Sequence, residues 1–479
     1  MTNFWSQYWP HIAVVLAVVL AAATVIHSAL TKDDVRSAIG WSGIAVFSPF
    51  FGAILYAIAG VNRVRRTAVR KRRSGRRRSG WNLVSAERVT EAAGPQFVAL
   101  RELSDRVSSL PVSDRNSITL LSGGDAAYAV MLEAIRSAKR SIAMQTYILD
   151  HDAAGLAFVA ALAEAKDRGV AVRVLVDGIG VRYSRPRITG ELARRGVPFA
   201  LFLGRFVPWR WPYANLRSHR KILVVDGTIG FTGGMNIRAG FAGTYSGGKA
   251  EAHDTHFRLE GPVVAHLFRV LATDWSFTTG ERLTGRTWAQ GRPFRPGTAL
   301  CRPIDSGPDE GLERTHSVIL GALSVAQKRV RILSPYFLPD LRIVASLGVA
   351  ARRGVQVDIV IPEASNLRLV DWAVAGQIAQ VIRPGCNVWR AEGHFDHSKL
   401  MVVDGAWALI GSSNMDARSH RLNFETDIEV MDRESASVIE AEIEDRMAGA
   451  RRETLGSLAA KPPLIKVRNR LIWLASPYL

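Results

Sequence analysis

Cysteine is nearly missing: Cys301 and Cys386 are the only 2 in 479 residues, and no C-x-x-C occurs. That excludes a disulfide framework and a zinc–thiolate centre, and it suits a reduced setting for the catalytic part. Acidic residues are also short. Against 43 Asp and Glu stand 62 Lys and Arg, a formal charge of +19 with an isoelectric point near 10.5. Such a chain seeks anionic partners, nucleic acid or an acidic membrane surface, and charge alone does not choose between them. Lys and Arg are absent from residues 1–11, ahead of the first apolar run, which argues against a cleaved secretory signal. Residues 61–80 contain no acid at all, while ten of them are Lys or Arg.

Two apolar runs are present. Residues 12–30 (IAVVLAVVLAAATVIHSAL) are about one bilayer thick, and residues 40–60 (GWSGIAVFSPFFGAILYAIAG) carry Pro49 and several glycines, which membrane helices tolerate. Residues 1–60 are therefore expected to form a two-helix transmembrane hairpin with a polar turn at Thr31–Arg36. The basic segment 61–80 follows as a positive-inside signal, which places the rest of the chain in the cytoplasm. It would also hold anionic head groups at roughly 1 kcal/mol per basic residue.

The chemistry sits in a pattern that occurs twice. Residues 219–236 read HRKILVVDGTIGFTGGMN and residues 397–414 read HSKLMVVDGAWALIGSSN. His219, Lys221 and Asp226 recur as His397, Lys399 and Asp404, followed in register by Gly233 and Asn236, then Gly411 and Asn414. Each alternating apolar run leads into Asp-Gly, a hairpin turn signal, so His and Lys are expected on a strand, i and i+2 on one face. Arg220 and Ser398 then point away. A neutral imidazole can attack phosphorus while a second, protonated one donates to the leaving alkoxide. Two Lys and two Asn would stabilise charge on the phosphoryl oxygens. This is phosphodiester chemistry that calls for no metal or other cofactor. For Asp226 and Asp404 two readings stand, part of the catalytic set or support of the turn.

Elsewhere short β-branched strands alternate with helices. The first half is expected to hold strands at 118–121, 141–149 and 170–177 and helices at 125–138 and 152–168. The second half repeats this with helices at 312–328 and 340–353 and strands at 329–335 and 355–362. The expected fold is α/β: two duplicated lobes with mixed sheets flanked by helices, preceded by the hairpin. The expected divisions are 1–60 hairpin, 61–80 polybasic segment, 81–116 connector, 117–295 and 296–460 lobes, and 461–479 basic amphipathic tail. The tail, with Leu464, Val467, Leu471 and Leu474 at helical spacing, reads as an interfacial helix or as one docked on the protein. Tyr147 and Tyr336-Phe337 end equivalent strands, either as core or as walls of a lipid channel. Trp209–Arg217 (WRWPYANLR) mixes side chains that favour a membrane interface with those of a packed loop. His253/His256 and His394/His397 invite a metal, but neither pair has Cys or acidic partners at familiar ligand spacing, and none is expected.

The doubled motif resembles the HKD motif of the phospholipase D superfamily. With DTHFRLEGPVV, ATDW, SPYFLPD, IGSSNMDARSHRLNFE and RLIWLASPYL, nearly the whole chain is similar to bacterial cardiolipin synthases. His420 departs from that pattern, standing where an aromatic is usual. The resemblance implies two lobes facing one cleft, with Asp254 and Glu425 orienting the histidines through Nδ1 and leaving Nε2 free. It also implies His219 as nucleophile, His397 as acid and base, and Lys221, Lys399, Asn236 and Asn414 around the phosphate. The implied reaction condenses two phosphatidylglycerols into cardiolipin and glycerol at the bacterial inner membrane. The implied partners are anionic phospholipids and the membrane, not nucleic acid. Rival readings are a phospholipase D-type hydrolase, a metal-independent nuclease, and a non-catalytic tether to acidic lipids.

Overall fold

The computed structural model describes residues 2–32, 35–60, 84–204, 216–289, 291, 297–308 and 311–476. The polybasic segment 61–80 and residues 209–215 of the Trp- and Arg-rich stretch lie outside them. The chain divides into an N-terminal helical unit and a larger catalytic body.

In the N-terminal unit the first apolar run forms α1 (Thr2–Thr31), unbroken. Its part Tyr8–Thr31 is 24 residues long with a mean hydropathy of 2.4, about 36 Å of helix, which is long enough to cross a bilayer. The second run does not match it, which corrects the expectation of two spanning helices. It begins as α2 (Val35–Phe47), breaks at Ser48, and resumes as α3 (Pro49–Leu55) before a π-helical turn at Tyr56–Gly60. Pro49 has no N–H to extend the ladder and its ring crowds the preceding turn. Both pieces pack on α1, and Tyr56 Oη lies 2.8 Å from His27 Nδ1. Among the described residues only α1 is long and apolar enough to span.

The catalytic body is built from one strand plan used twice. The first half supplies β1 (Ser113–Ser122), β2 (Ser141–Thr146), β3 (Ala171–Asp177), β4 (Phe199–Phe202) and β5 (Arg217–Ser218). It continues with β6 (Ile222–Val225), β7 (Ile229–Gly233), β8 (Ala252–His253) and β9 (Thr255–Glu260). The second half supplies β10 (Ala299–Ser306), β11 (Arg329–Leu333), β12 (Phe337–Leu338), β13 (Gln356–Pro362), β14 (Asn387–Ala391) and β15 (Phe395–Asp396). Then come β16 (Leu400–Val403), β17 (Trp407–Gly411), β18 (Met415–Asp416), β19 (Asn423–Met431) and β20 (Arg451–Glu453).

Outward from the centre the first half runs β1-β9-β7-β6-β2-β3-β4 and the second β10-β19-β17-β16-β11-β13-β14, with β20 added at its edge. Antiparallel pairing of β1 with β10 joins them into one sheet. The outer trios β2-β3-β4 and β11-β13-β14 are parallel, as strands linked by helices must be, whereas the motif hairpins β6-β7 and β16-β17 are antiparallel.

Helices cover both faces. One apolar core, with Leu267, Leu271 and Trp275 from the helix Val263–Thr279 and Ile439 and Ile443 from Arg433–Ala448, runs under both halves. Separate cores fill the other face of each half. The stretch expected as a connector folds as helices Ala86–Ala92 and Gln96–Val107, and their Val89, Phe97 and Leu100 are buried in the second half's core.

Two small parallel ladders tie the halves together at the site. β5 pairs with the start of β19 (Arg217 with Asn423, Ser218 with Phe424), and β8 pairs with β15 (Ala252 with Phe395, His253 with Asp396). The two ladders are equivalent under exchange of the halves.

Candidate active site

Each ladder ends one residue before a histidine on one strand and one residue before an acid on the other. His219 and Glu425 follow the first ladder; His397 and Asp254 follow the second. The amide of His219 donates to Phe424 O at 2.9 Å, and that of His397 to His253 O at 2.8 Å. His and Lys of each motif therefore lie in the link between ladder and hairpin rather than on a strand, a correction with a clear cause. The backbone groups that would continue the hairpin are taken by the other half.

Each motif histidine thus receives its carboxylate from the opposite half. His219 Nδ1 donates to Glu425 Oε2 (3.0 Å) and lies 3.1 Å from Ser412 O. His397 Nδ1 donates to Asp254 Oδ2 (2.7 Å). With Nδ1–H held by the acid, Nε2 keeps its lone pair for chemistry. The imidazoles are 8% and 7% exposed, and both acids are fully buried.

Both lysines turn inward. Lys221 Nζ donates to His219 O at 2.6 Å, Lys399 Nζ donates to His397 O, and Lys399 Nζ lies 2.9 Å from His397 Nδ1. Burial lowers Lys221 to about 7 and Lys399 to about 8, against the attraction of Glu425 and Asp254. Burial and the ammonium charges also lower both imidazoles, His397 the more strongly. The acids differ. Burial lifts Asp254 to about 7. For Glu425 burial works upward too, but His219, Lys221 and Ser412 outweigh it and hold the carboxyl below its usual range.

The hydrogen-bond partners of the two acids also differ. Ser412 Oγ donates to Glu425 Oε2 at 2.6 Å and Asn423 Nδ2 to Oε1 at 3.0 Å. In register with Ser412 the first half has Gly234, where a Cβ would come within 2.4 Å of Asp254 Oδ1. Ser412 and Asn423 escaped the reading of the sequence. The one visible signal is that GSSN and GGMN differ at that position.

The hairpin turns form as expected, with left-handed φ at Asp226 (53°) and Gly227 (65°) and at Asp404 (54°) and Gly405 (61°). Their carboxylates do not join the cluster. Asp226 accepts from the backbone N–H groups of Lys139, Arg140 and Ser141, and Asp404 from those of Gln327, Lys328 and Arg329. They sit at the far end of the hairpin strand, about 16 Å along the chain from the motif lysine. Of the two readings, the geometry matches support of the turn.

Asn236 and Asn414 are both buried. Asn236 Oδ1 accepts from Ile148 N at 3.3 Å, while Asn414 Oδ1 is buried without a partner. Gly233 and Gly411 let neighbouring strands close in, since a Cβ would meet Thr255 O at 2.7 Å and Asp427 Cα at 2.5 Å. Arg220 does turn away, to Asp274 at 2.6 Å, and Ser398 Oγ meets Thr255 Oγ1 at 2.9 Å.

Aromatic rings wall the histidines. Tyr147 stands edge-on to His219 (5.1 Å between centroids) and Tyr336 edge-on to His397 (6.1 Å), whereas Phe337 is core. Each tyrosine is half-buried and reaches a more exposed neighbour: Tyr147 Oη is 3.4 Å from Tyr183 Oη, and Tyr336 Oη donates to Asn366 Oδ1 at 2.7 Å. His253 pairs with Asp396 (3.3 Å), which also takes Arg446. His256 is buried and lowered to about 3 by desolvation. His420 packs edge-on against His316, itself 3.0 Å from Asp340.

Comparison with known proteins gives a consistent result. A family profile described as "Cardiolipin synthase, PLD-like domain" matches residues 131–242 and 319–447. Cardiolipin synthase A of Pseudomonas fluorescens (strain SBW25) is 32% identical over 469 residues, 96% of either chain. Cardiolipin synthase A of Pseudomonas putida (strain GB-1) is 30% identical over the full length of both. Among solved structures, phosphatidylserine synthase of Haemophilus influenzae Rd KW20 superposes with a TM-score of 0.59 at 15% identity, covering 79% of this chain and 100% of that one.

Proposed function

The chain belongs to the phospholipase D-like family of bacterial cardiolipin synthases, and from that premise we infer that it is a phosphatidyltransferase joining two phosphatidylglycerols into cardiolipin and glycerol. The observation that carries the reading is the crossed pairing of two buried histidines with two buried carboxylates, two lysines between them.

In the first half-reaction His219 Nε2 attacks phosphorus of one phosphatidylglycerol. The bond from phosphorus to the head-group glycerol oxygen breaks, and His397 Nε2–H protonates that oxygen. In the second, His397 takes the proton from a hydroxyl of another phosphatidylglycerol. That oxygen attacks phosphorus, the P–N bond breaks, and cardiolipin leaves. Lys221, Lys399 and the side-chain amide N–H groups of Asn236 and Asn414 donate to the phosphoryl oxygens.

The assignment of His219 as nucleophile rests on the unequal acids. Glu425, held below its usual range by His219, Lys221 and Ser412, balances the positive charge of a phosphatidyl-histidine better than Asp254, which burial lifts to about 7. His397 is strongly lowered beside two ammonium groups, and the negative charge of a bound phosphodiester restores its proton.

The protein is membrane-associated, with phospholipid substrates. As part of the proposal, α1 is the anchor in the bacterial inner membrane, with α2 and α3 packed on it. The basic residues of 61–80 keep the catalytic body on the cytoplasmic side. Residues 117–295 and 296–460 are the two repeats.

The test is product analysis by mass spectrometry with phosphatidylglycerol vesicles in chelator, beside His219→Ala and His397→Ala. Cardiolipin and glycerol, both lost in the variants, are expected. Phosphatidic acid as sole product would make water the acceptor and the enzyme a hydrolase.

A further inference from the structure

The C-terminal helix Pro463–Trp473 has two faces with different fates. One face docks: Asn469 is 4% exposed, Ile472 and Trp473 pack on the second half's core, and Arg468 lies 4.0 Å over the Trp372 ring. The contact with the helix Arg368–Gln377 is close enough that a Cβ on Gly376 would meet Asn469 O at 2.6 Å. Both readings of the tail therefore have a face to act through, because docking leaves a stripe outside. Leu464 is 84%, Leu471 62% and Leu474 68% exposed, and Val467 lies between them.

Leu367, the residue before the helix Arg368–Gln377, and Leu369, in that helix's first turn, are also half exposed. Six large aliphatic side chains on two packed elements are a surface that water alone does not explain. Between and beside them stand Arg368, Lys466 and Arg470, and residues 461–474 contain no acid. Apolar stripe and basic flank are the two requirements for lying in the head-group region of an anionic bilayer. The position has a consequence for the site. Asn366, one residue before Leu367, holds the hydroxyl of Tyr336, whose ring stands against His397.

We propose that this plate (Leu367, Leu369, Leu464, Val467, Leu471 and Leu474) is a membrane-contact surface of the catalytic body, seated on anionic phospholipid. It brings the Tyr336 side of the site to the lipid surface, so that phospholipid moves between bilayer and site without crossing water. Contact with lipid does not depend on the transferase reading; only its effect on turnover does.

The test uses the full chain in nanodiscs, one chain per disc. Cys301 and Cys386 are buried, so Leu471→Cys can be tagged alone with an environment-sensitive fluorophore. Val438→Cys, on a helix whose neighbours pack against the opposite face of the sheet, serves as the control. In discs containing phosphatidylglycerol the tag at 471 should shift to the blue and be quenched by bromolipid, and the tag at 438 should stay in water. A tag at 471 that stays in water overturns the proposal. So does a shift seen only with two chains per disc, which would assign the stripe to a second copy.

The variant carrying Leu464→Glu, Val467→Glu and Leu471→Glu alters exposed positions only. Its turnover of bilayer phosphatidylglycerol should fall about tenfold or more, with turnover of a monomeric short-chain phosphatidylglycerol unchanged. Unchanged turnover on bilayers, or equal loss on both substrates, would contradict the role in lipid delivery.

Discussion

His219 and Glu425, 206 positions apart, meet at 3.0 Å because two residues of β5 pair with two of β19. The reciprocal contact, His397 with Asp254 at 2.7 Å, depends on an equally short ladder. Neither half of the catalytic body can assemble a complete histidine–acid pair by itself. The join of β1 to β10 and the core shared by both halves keep the exchange in register.

Replacing Glu425 by Gln keeps the shape and removes the charge that, in the mechanism we propose, supports a cationic phosphatidyl-histidine. We expect kcat to fall about 10²-fold or more with little change in KM. Glu425→Asp should recover part of the loss, since its carboxylate still accepts from Ser412. Steady-state kinetics on phosphatidylglycerol vesicles decide this, and an unchanged kcat would remove Glu425 from the mechanism.

Much of this was legible in the sequence. The doubled His-x-Lys, the Asp-Gly turns and the alternation of helix and strand carry strong local signals, and they gave the fold class and the histidines and lysines that the structure clusters. The crossing was not legible. Asp254 and Glu425 each follow their own motif in the chain, and ladders of two residues leave no periodicity to read. His219 and Lys221 read as strand because the apolar alternation behind them is strong, yet the amide of His219 belongs to Phe424. Pro49 was visible, and its effect depended on whether neighbouring helices could bridge the break.

The inequality of the acids predicts which histidine holds the lipid. In His397→Ala a phosphatidyl donor with a good leaving group, needing no acid, should label the protein covalently. In His219→Ala it should not. Quenching in alkaline denaturant, which spares a P–N bond, followed by mass spectrometry of peptides covering residues 217–221 and 396–399 reads the adduct. Label on His397 in the His219→Ala protein would reverse the assignment.

Asp226 and Asp404 should behave as structural residues. Asp226→Asn loses part of a carboxylate that satisfies three backbone N–H groups, at a cost of about 1–3 kcal/mol. Asn tolerates the left-handed φ, so no further strain enters. The melting temperature should fall while kcat of the folded protein stays within about twofold, a split that a catalytic aspartate would not give.

The lysines set the dependence on pH. Lys221 titrates at about 7 and Lys399 at about 8 in the folded protein because burial disfavours their charge, against 10.5 for a free side chain. Between those values the unfolded chain binds more protons than the folded one, so these groups make stability rise with pH from about 7 to 10.5. Below about 7 the cost of burying the charged Lys221 is fully present. Lys221→Met should therefore melt above wild type at pH 6, and the gap should narrow as pH rises toward 10. Its turnover should fall about 10²-fold or more at every pH, because Met cannot stabilise phosphoryl charge. In the unaltered enzyme kcat/KM should decline as pH rises through 7 to 8. The limb for kcat should lie higher, since a bound phosphodiester raises both lysines. Coincident alkaline limbs for the two parameters would mean that neither ammonium faces the phosphate.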